Sequence, residues 1–163
     1  MLNAGDKAPD FDTVDQDGTR AKLSDFRGRK FVLYFYPKDD TPGCTKEACS
    51  FRDAWSAFRR KKIDVLGVSA QDEKSHKKFA EKYALPFRLL ADAEKRIVRA
   101  YGVWGEKSLY GHKFMGTNRV TYLIDEKGKI ASVWPKVKPA DHAEEILAAV
   151  GAGALPPPTQ RGG

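Results

Sequence analysis

The run KFVLYFYP, Lys30 to Pro37, constrains the fold more than any other stretch. It is continuously aromatic and β-branched, with no polar alternation, which is the mark of a strand buried on both faces. Such a strand sits in the middle of a sheet and needs a layer on each side. The rest of the chain supplies those layers. After a loop, CTKEACSFRDAWSAFRRKK reads as one helix, IDVLGVSA as a second buried strand, and DEKSHKKFAEKYAL as a more polar helix capped by Asp72 or Ser69. FRLLAD gives a short strand and AEKRIVRAYGV a helix, and RVTYLIDEKGKIASVW gives two strands around an EKGK turn. PADHAEEILAAVG closes the chain as a helix with Pro near its start and Gly at its end. Upstream, FDTVDQDGTRAKL alternates around an Asp-Gly turn and reads as an N-terminal β-hairpin. The expected class is α/β, a central mixed sheet flanked by helices on both faces.

A chain of 163 residues fits one domain, placed at 1–150, while the Gly/Pro-rich stretch 151–163, GAGALPPPTQRGG, reads as a flexible tail. The longest apolar run is far short of the roughly 20 residues that span a bilayer, and MLNAGDKAPDF has neither the basic nor the apolar part of an export signal. The expectation is a soluble, cytoplasmic protein with no membrane partner. In that compartment a pair of thiols serves redox chemistry or metal binding more often than structural cross-linking. The 29 Lys+Arg exceed the 22 Asp+Glu, for a net charge of +7, but the basic residues are scattered among acids and do not form a nucleic-acid stripe. No nucleic-acid partner is expected.

Both cysteines lie in the first helix. From Cys44 the apolar positions Ala48, Phe51, Trp55 and Phe58 follow at steps of four and three, a stripe that faces the sheet. Cys49 is turned about 140° away and shares its face with Arg52, Asp53, Ser56 and Arg60. Five residues along an intact helix separate two Cα atoms by roughly 8–9 Å. A disulfide rarely spans more than about 7 Å, so this pair can be bridged only if a turn unwinds. In TPGC, Thr41 reads as an N-cap and Pro42 as the first helical residue, which puts Cys44 in the first turn. There the free N–H groups and the positive end of the helix dipole favour thiolate over thiol. A buried cysteine can also simply fill space. Zinc is disfavoured, because C-x₄-C is accompanied only by the distant His76, His112 and His142; His76, inside KSHKK, reads as solvated. A disulfide oxidoreductase would carry C-x-x-C, which is absent.

Taken whole, YFYPKDDTPGCTKEAC, Tyr34 to Cys49, resembles the active-site segment of peroxiredoxins, and its C-x₄-C spacing resembles the peroxiredoxin Q or bacterioferritin-comigratory-protein branch. The pattern P-x-x-x-T-x-x-C is met by Pro37, Thr41 and Cys44. The likeness starts at GDKAPDF and continues through VLGVS, FRLLAD and NRVTYLIDEKGKI. It implies a thioredoxin-like fold and a thiol-dependent peroxidase acting on hydrogen peroxide and organic hydroperoxides, with Cys44 as the peroxidatic and Cys49 as the resolving cysteine. Thr41 would bond the peroxide and Pro37 would shield the pocket. Arg119 would pair with the thiolate, and Glu47 would orient that arginine, or would serve only as a first-turn carboxylate. The resemblance further implies recycling by thioredoxin or a similar dithiol, no metal or organic cofactor, and a monomer.

Overall fold

The computed structural model describes residues 1–151. The expected tail, 151–163, lies outside the described residues apart from Gly151. Lys30–Phe35 forms β3, the middle of a five-stranded sheet. Its neighbours are β4 (Ile63–Ser69), which runs parallel to it, and β8 (Val120–Ile124), which runs antiparallel. Outside these lie β5 (Arg88–Ala91), parallel to β4, and β9 (Ile130–Trp134), antiparallel to β8. The order is β5-β4-β3-β8-β9.

Alternate residues of β3 feed two cores, as a pleated strand dictates. Phe31, Leu33 and Phe35 pack on one face with Val98, Tyr101 and Tyr122. Val32 and Tyr34 pack on the other with Cys44, Ala48, Phe51 and Phe58. The first face is covered by α4 (Arg96–Ala100) and by the N-terminal hairpin of β1 (Asp12–Val14) and β2 (Arg20–Lys22), at the predicted place. The second is covered by α1 (Pro42–Asp53), α2 (Trp55–Arg60), α3 (Glu73–Tyr83) and α5 (His142–Gly151). Tyr34 is accommodated because β4 carries Gly67 beneath it; a Cβ there would lie 2.9 Å from the Tyr34 ring and 2.8 Å from Leu89.

The structure departs from the sequence expectation at three places. The helix expected from Cys44 onward is two helices, divided at Ala54, where the backbone tightens (φ −96°, ψ 6°). Phe51 and Phe58 both bury, while Trp55 stays half-exposed against Phe87 with Arg59 over its ring. The helix expected at 93–103 is a single turn and a half, because Lys95 enters it in the left-handed region and Gly102 leaves it there. Asp92 instead caps it, accepting from the Ile97 and Val98 amides at 3.1 and 2.9 Å. His76 is fully buried, not solvated. It shares the inward face of α3 with Phe79 and Ala80, three and four residues on, and that spacing outweighs the lysines beside it in sequence.

A second hairpin, β6 (Trp104–Leu109) and β7 (His112–Thr117), has no counterpart in the sequence reading. Its two-residue turn places Tyr110 and Gly111 at φ 51° and 81°, the type I′ conformation that Asn-Gly ordinarily signals. Its strands are largely exposed, so no apolar periodicity marks them. Among the described residues no helix is long and apolar enough to cross a membrane.

Candidate active site

The end of β3 delivers the chain through Tyr36 into the loop Pro37–Thr41 and then into α1. Thr41 has the extended backbone of an N-cap (φ −93°, ψ 156°) and Pro42 is the first helical residue, as the sequence predicts. Its hydroxyl does not cap the helix, however. It donates to the Lys38 carbonyl at 2.8 Å, inside the loop. Cys44 is buried one turn in and Cys49 is half-buried, both as free thiols. The two sit within one unbroken helix, so the unwinding requirement holds.

Arg119 arrives from the neighbouring strand, immediately before β8. Phe35 pairs with Val120 across β3 and β8, so the residue before Val120 stands at the mouth of the loop that follows β3. Its Nη1 donates to Glu47 Oε1 at 2.7 Å and its Nη2 to Cys44 Sγ at 3.5 Å. One guanidinium therefore joins the thiol to a fully buried carboxylate on the next turn of α1. Burial pushes the Glu47 carboxyl up to about 7, against the opposing pull of Arg119. Among the described residues Glu47 Oε2 has no hydrogen-bond partner. Burial tends to lower the Arg119 ionisation range, but Glu47 and Cys44 outweigh it and hold the guanidinium charge more firmly than usual.

Gly43 makes this approach possible. A Cβ at that position would lie 3.0 Å from Arg119 Nη2. Beside the site a groove of about 330 Å³ is lined by Pro37 and Lys38 on one side and by Trp104, Lys107, Phe114 and Met115 of the second hairpin on the other. Lys107 donates to the Thr117 carbonyl at 3.0 Å, and burial together with the neighbouring Arg119 charge holds its ammonium below the usual lysine range. The structure thus gathers Pro37, Thr41, Cys44, Glu47 and Arg119 at one end of the sheet, with Cys49 on the outer side of α1. Lys107 was not singled out by sequence, because nothing local distinguishes a lysine on an exposed hairpin.

The arrangement holds a thiol in a helix's first turn, faces it with a guanidinium fixed by a buried carboxylate and carries a second thiol on the same helix. The sequence profile of the AhpC/TSA family matches residues 4–133. The chain belongs to the AhpC/TSA family. Within it, the chain is 48% identical over 146 residues to the putative peroxiredoxin bcp of Coxiella burnetii, covering 90% of this chain and 97% of that one. It is 43% identical to peroxiredoxin Bcp of Escherichia coli strain K12, over 90% and 94% of the two chains. A Cys-to-Ser variant of Xylella fastidiosa PrxQ superposes with a TM-score of 0.89 at 35% identity, over 94% of this chain and 98% of that one. The bacterioferritin comigratory protein of Xanthomonas campestris, studied for alkyl peroxide reduction, superposes with a TM-score of 0.82 at 38% identity, over 88% and 92% of the two chains. The thioredoxin-like fold expected of an AhpC/TSA member is the fold observed.

Proposed function

We propose that this AhpC/TSA enzyme is a thiol-dependent peroxidase in which Cys44 is oxidised by peroxide and Cys49 resolves it. The observation that carries the reading is the Arg119 guanidinium, shared between Cys44 Sγ and the buried Glu47. The Cys44 thiolate attacks one peroxide oxygen, the O–O bond breaks, and the leaving oxygen takes a proton to depart as water or an alcohol. Cys44 is left as a sulfenic acid. Arg119 and the amides of the first turn stabilise the negative charge as it moves from sulfur to the leaving oxygen, and need no reorganisation to do so. Thr41 and Pro37 border the space where the peroxide stands.

The first turn of α1 then unwinds, and the Cys49 thiol attacks the sulfenic sulfur, releasing water and forming the Cys44–Cys49 disulfide. An external dithiol of the thioredoxin type takes up the bridge as its own disulfide and returns both thiols. The largely apolar groove beside Pro37, with Trp104, Phe114 and Met115 on its wall, supports a range that includes organic hydroperoxides as well as hydrogen peroxide. We place the enzyme in the cytoplasm, where a thiol pair serves redox chemistry more often than cross-linking, and by family resemblance as a monomer with no metal or organic cofactor.

The test is to treat the reduced protein with one equivalent of hydrogen peroxide, follow both thiols in time and digest without reductant. Trypsin cuts after Lys46, so the bridge would join DDTPGCTK to EACSFR. Rapid loss of both thiols with that linked pair supports the reading. Slow loss, with both peptides free, defeats it.

A further inference from the structure

We propose that Asp39 and His76 form a latch that holds the wound form of the first turn of α1, and so set how fast Cys49 reaches an oxidised Cys44. The proposal rests on the redox roles assigned to the two cysteines above, and it concerns residues outside that chemistry. Asp39 lies in the loop between β3 and α1, and its side chain is buried. Its carboxylate accepts from the Tyr36 hydroxyl at 2.6 Å and from Ser75 Oγ at 2.7 Å, and meets His76 Nδ1 at 2.6 Å. Its backbone N–H donates to Gln71 Oε1 at 2.8 Å.

His76 is held from its far side as well. Its Nε2 stands 2.9 Å from the Leu90 carbonyl on β5. A carbonyl can only accept, so Nε2 carries a hydrogen, and the contact between Nδ1 and Asp39 holds one further proton shared by ring and carboxyl. This is a short, buried, charge-assisted bond that ties the catalytic loop to the sheet through α3.

The neighbouring residue grips the same helix. Asp40 takes donations from Lys82 Nζ at 2.8 Å and from the Tyr83 hydroxyl at 2.7 Å, so consecutive aspartates hold α3 at its first turn and at its last. Asp40 itself sits at φ 59°, a left-handed conformation that costs a non-glycine residue free energy. At the same time α1 begins without a side-chain cap: the Thr41 hydroxyl donates to the Lys38 carbonyl and accepts from no amide of the first turn. A helix start with no cap of its own, entered from a strained residue, is kept wound by what anchors the loop. Disulfide formation requires that turn to unwind. The anchor therefore opposes resolution and favours the reduced, peroxide-reactive form.

Two variants separate this role from mere folding. Asp39→Asn keeps the size and one acceptor oxygen, so Tyr36 can still donate to it, while the amide nitrogen takes the place of the oxygen that Ser75 and His76 share and the shared proton is lost. The double variant Asp39→Ala/His76→Leu removes both partners and leaves no stranded buried charge. Stopped-flow measurement of Cys44 oxidation and of the subsequent loss of the Cys49 thiol, with the yield of Cys44 sulfinic acid under excess peroxide, reads the two steps separately. In both variants we expect resolution to be about threefold or more faster, peroxide attack slower and sulfinic acid reduced. The dithiol–disulfide equilibrium in glutathione buffers should shift about tenfold toward the disulfide, which is about 30 mV for this two-electron couple.

Unchanged rates with an unshifted equilibrium overturn the proposal, and so does a parallel fall of both rates. Failure of both variants to fold would make the pair a determinant of the fold, and also overturns it. The glutathione equilibrium needs no peroxide. An unshifted equilibrium in a variant of a peroxide-active protein defeats the latch alone, whereas a parent protein inert to peroxide defeats the proposed activity.

Discussion

Arg119 donates to Glu47 Oε1 at 2.7 Å, and its other terminal nitrogen stands 3.5 Å from Cys44 Sγ, so one side chain is bound to the carboxylate behind the site and to the sulfur within it. Arg119→Ala should therefore slow peroxide attack by about a hundredfold, the loss that follows removal of one preorganised charge-stabilising group. Resolution by Cys49, once the sulfenic acid has formed, should change far less. Stopped-flow peroxide titration checks both, and an unchanged attack rate would show that the arginine plays no part in the chemistry.

The proposed division of labour between the thiols predicts an asymmetry between two conservative changes. Cys44→Ser should abolish peroxide consumption. Cys49→Ser should consume about one equivalent and then stall with a dithiol reductant, because the sulfenic acid forms without resolution. Quantifying peroxide lost per protein measures this directly, and sustained cycling by Cys49→Ser would assign resolution to another thiol.

Glu47 carries a pH signature in stability. Its carboxyl is raised in the folded protein from an ordinary value of 4.5 to about 7. The unfolded chain therefore gives up this proton first, and the contribution of the protonated form is complete below about pH 4.5 and lost as the pH rises through about 7. The slope is about −1.4 kcal/mol per pH unit at its steepest. Glu47→Gln should remove that decline, as urea unfolding from pH 4 to 8 would reveal.

His142 works in the opposite direction. Burial, and then the Arg119 charge, lower its imidazole from 6.5 to about 3. The neutral ring accepts from Thr121 Oγ1 at 2.7 Å through Nε2 and donates from Nδ1 to Glu145 at 3.0 Å. Its contribution is complete above about pH 6.5 and is lost as the pH falls toward about 3. Between about 4.5 and 6.5 the two slopes oppose each other. The parent protein should be nearly flat there with respect to these groups, Glu47→Gln should gain stability as the pH rises, and His142→Gln should lose it. Parallel slopes in the two variants would contradict the assignment.

Gly43→Ala tests the closeness of Arg119 to the first turn. The new methyl would stand 3.0 Å from Nη2 and 3.9 Å from Pro139 Cγ, so the guanidinium must give way by a few tenths of an ångström. We expect a folded protein, because alanine suits a helix interior better than glycine, with peroxide attack slowed about tenfold. A variant as fast as the parent would mean that the guanidinium position tolerates that shift.

How far the site was legible depends on the range of each signal. Thr41, Pro42 and Cys44 occupy the positions that TPGC predicts, because capping and the first helical turn are local chemistry. Even here the Thr41 hydroxyl donates to the Lys38 carbonyl instead of accepting from a first-turn amide, a difference that composition does not reveal. Arg119 could be singled out from 29 basic residues only through the family resemblance. Lys107 and the second hairpin gave no signal, since exposed strands need no apolar alternation. The lysines beside His76 read as a solvated stretch, whereas its spacing from Phe79 and Ala80 puts it on the inward face of α3.

By itself the sequence determined that β3 is interior, that hairpins flank it and that Cys44 opens a helix from which Cys49 faces away. These follow from periodicity, turn residues and caps, whose range is a few residues. Only the tertiary structure brought Arg119 to a sulfur 75 residues away, through the pairing of Phe35 with Val120, and set His76 against Asp39 of the loop between β3 and α1. Strand register and helix packing decide such meetings, and they depend on how whole faces are buried together.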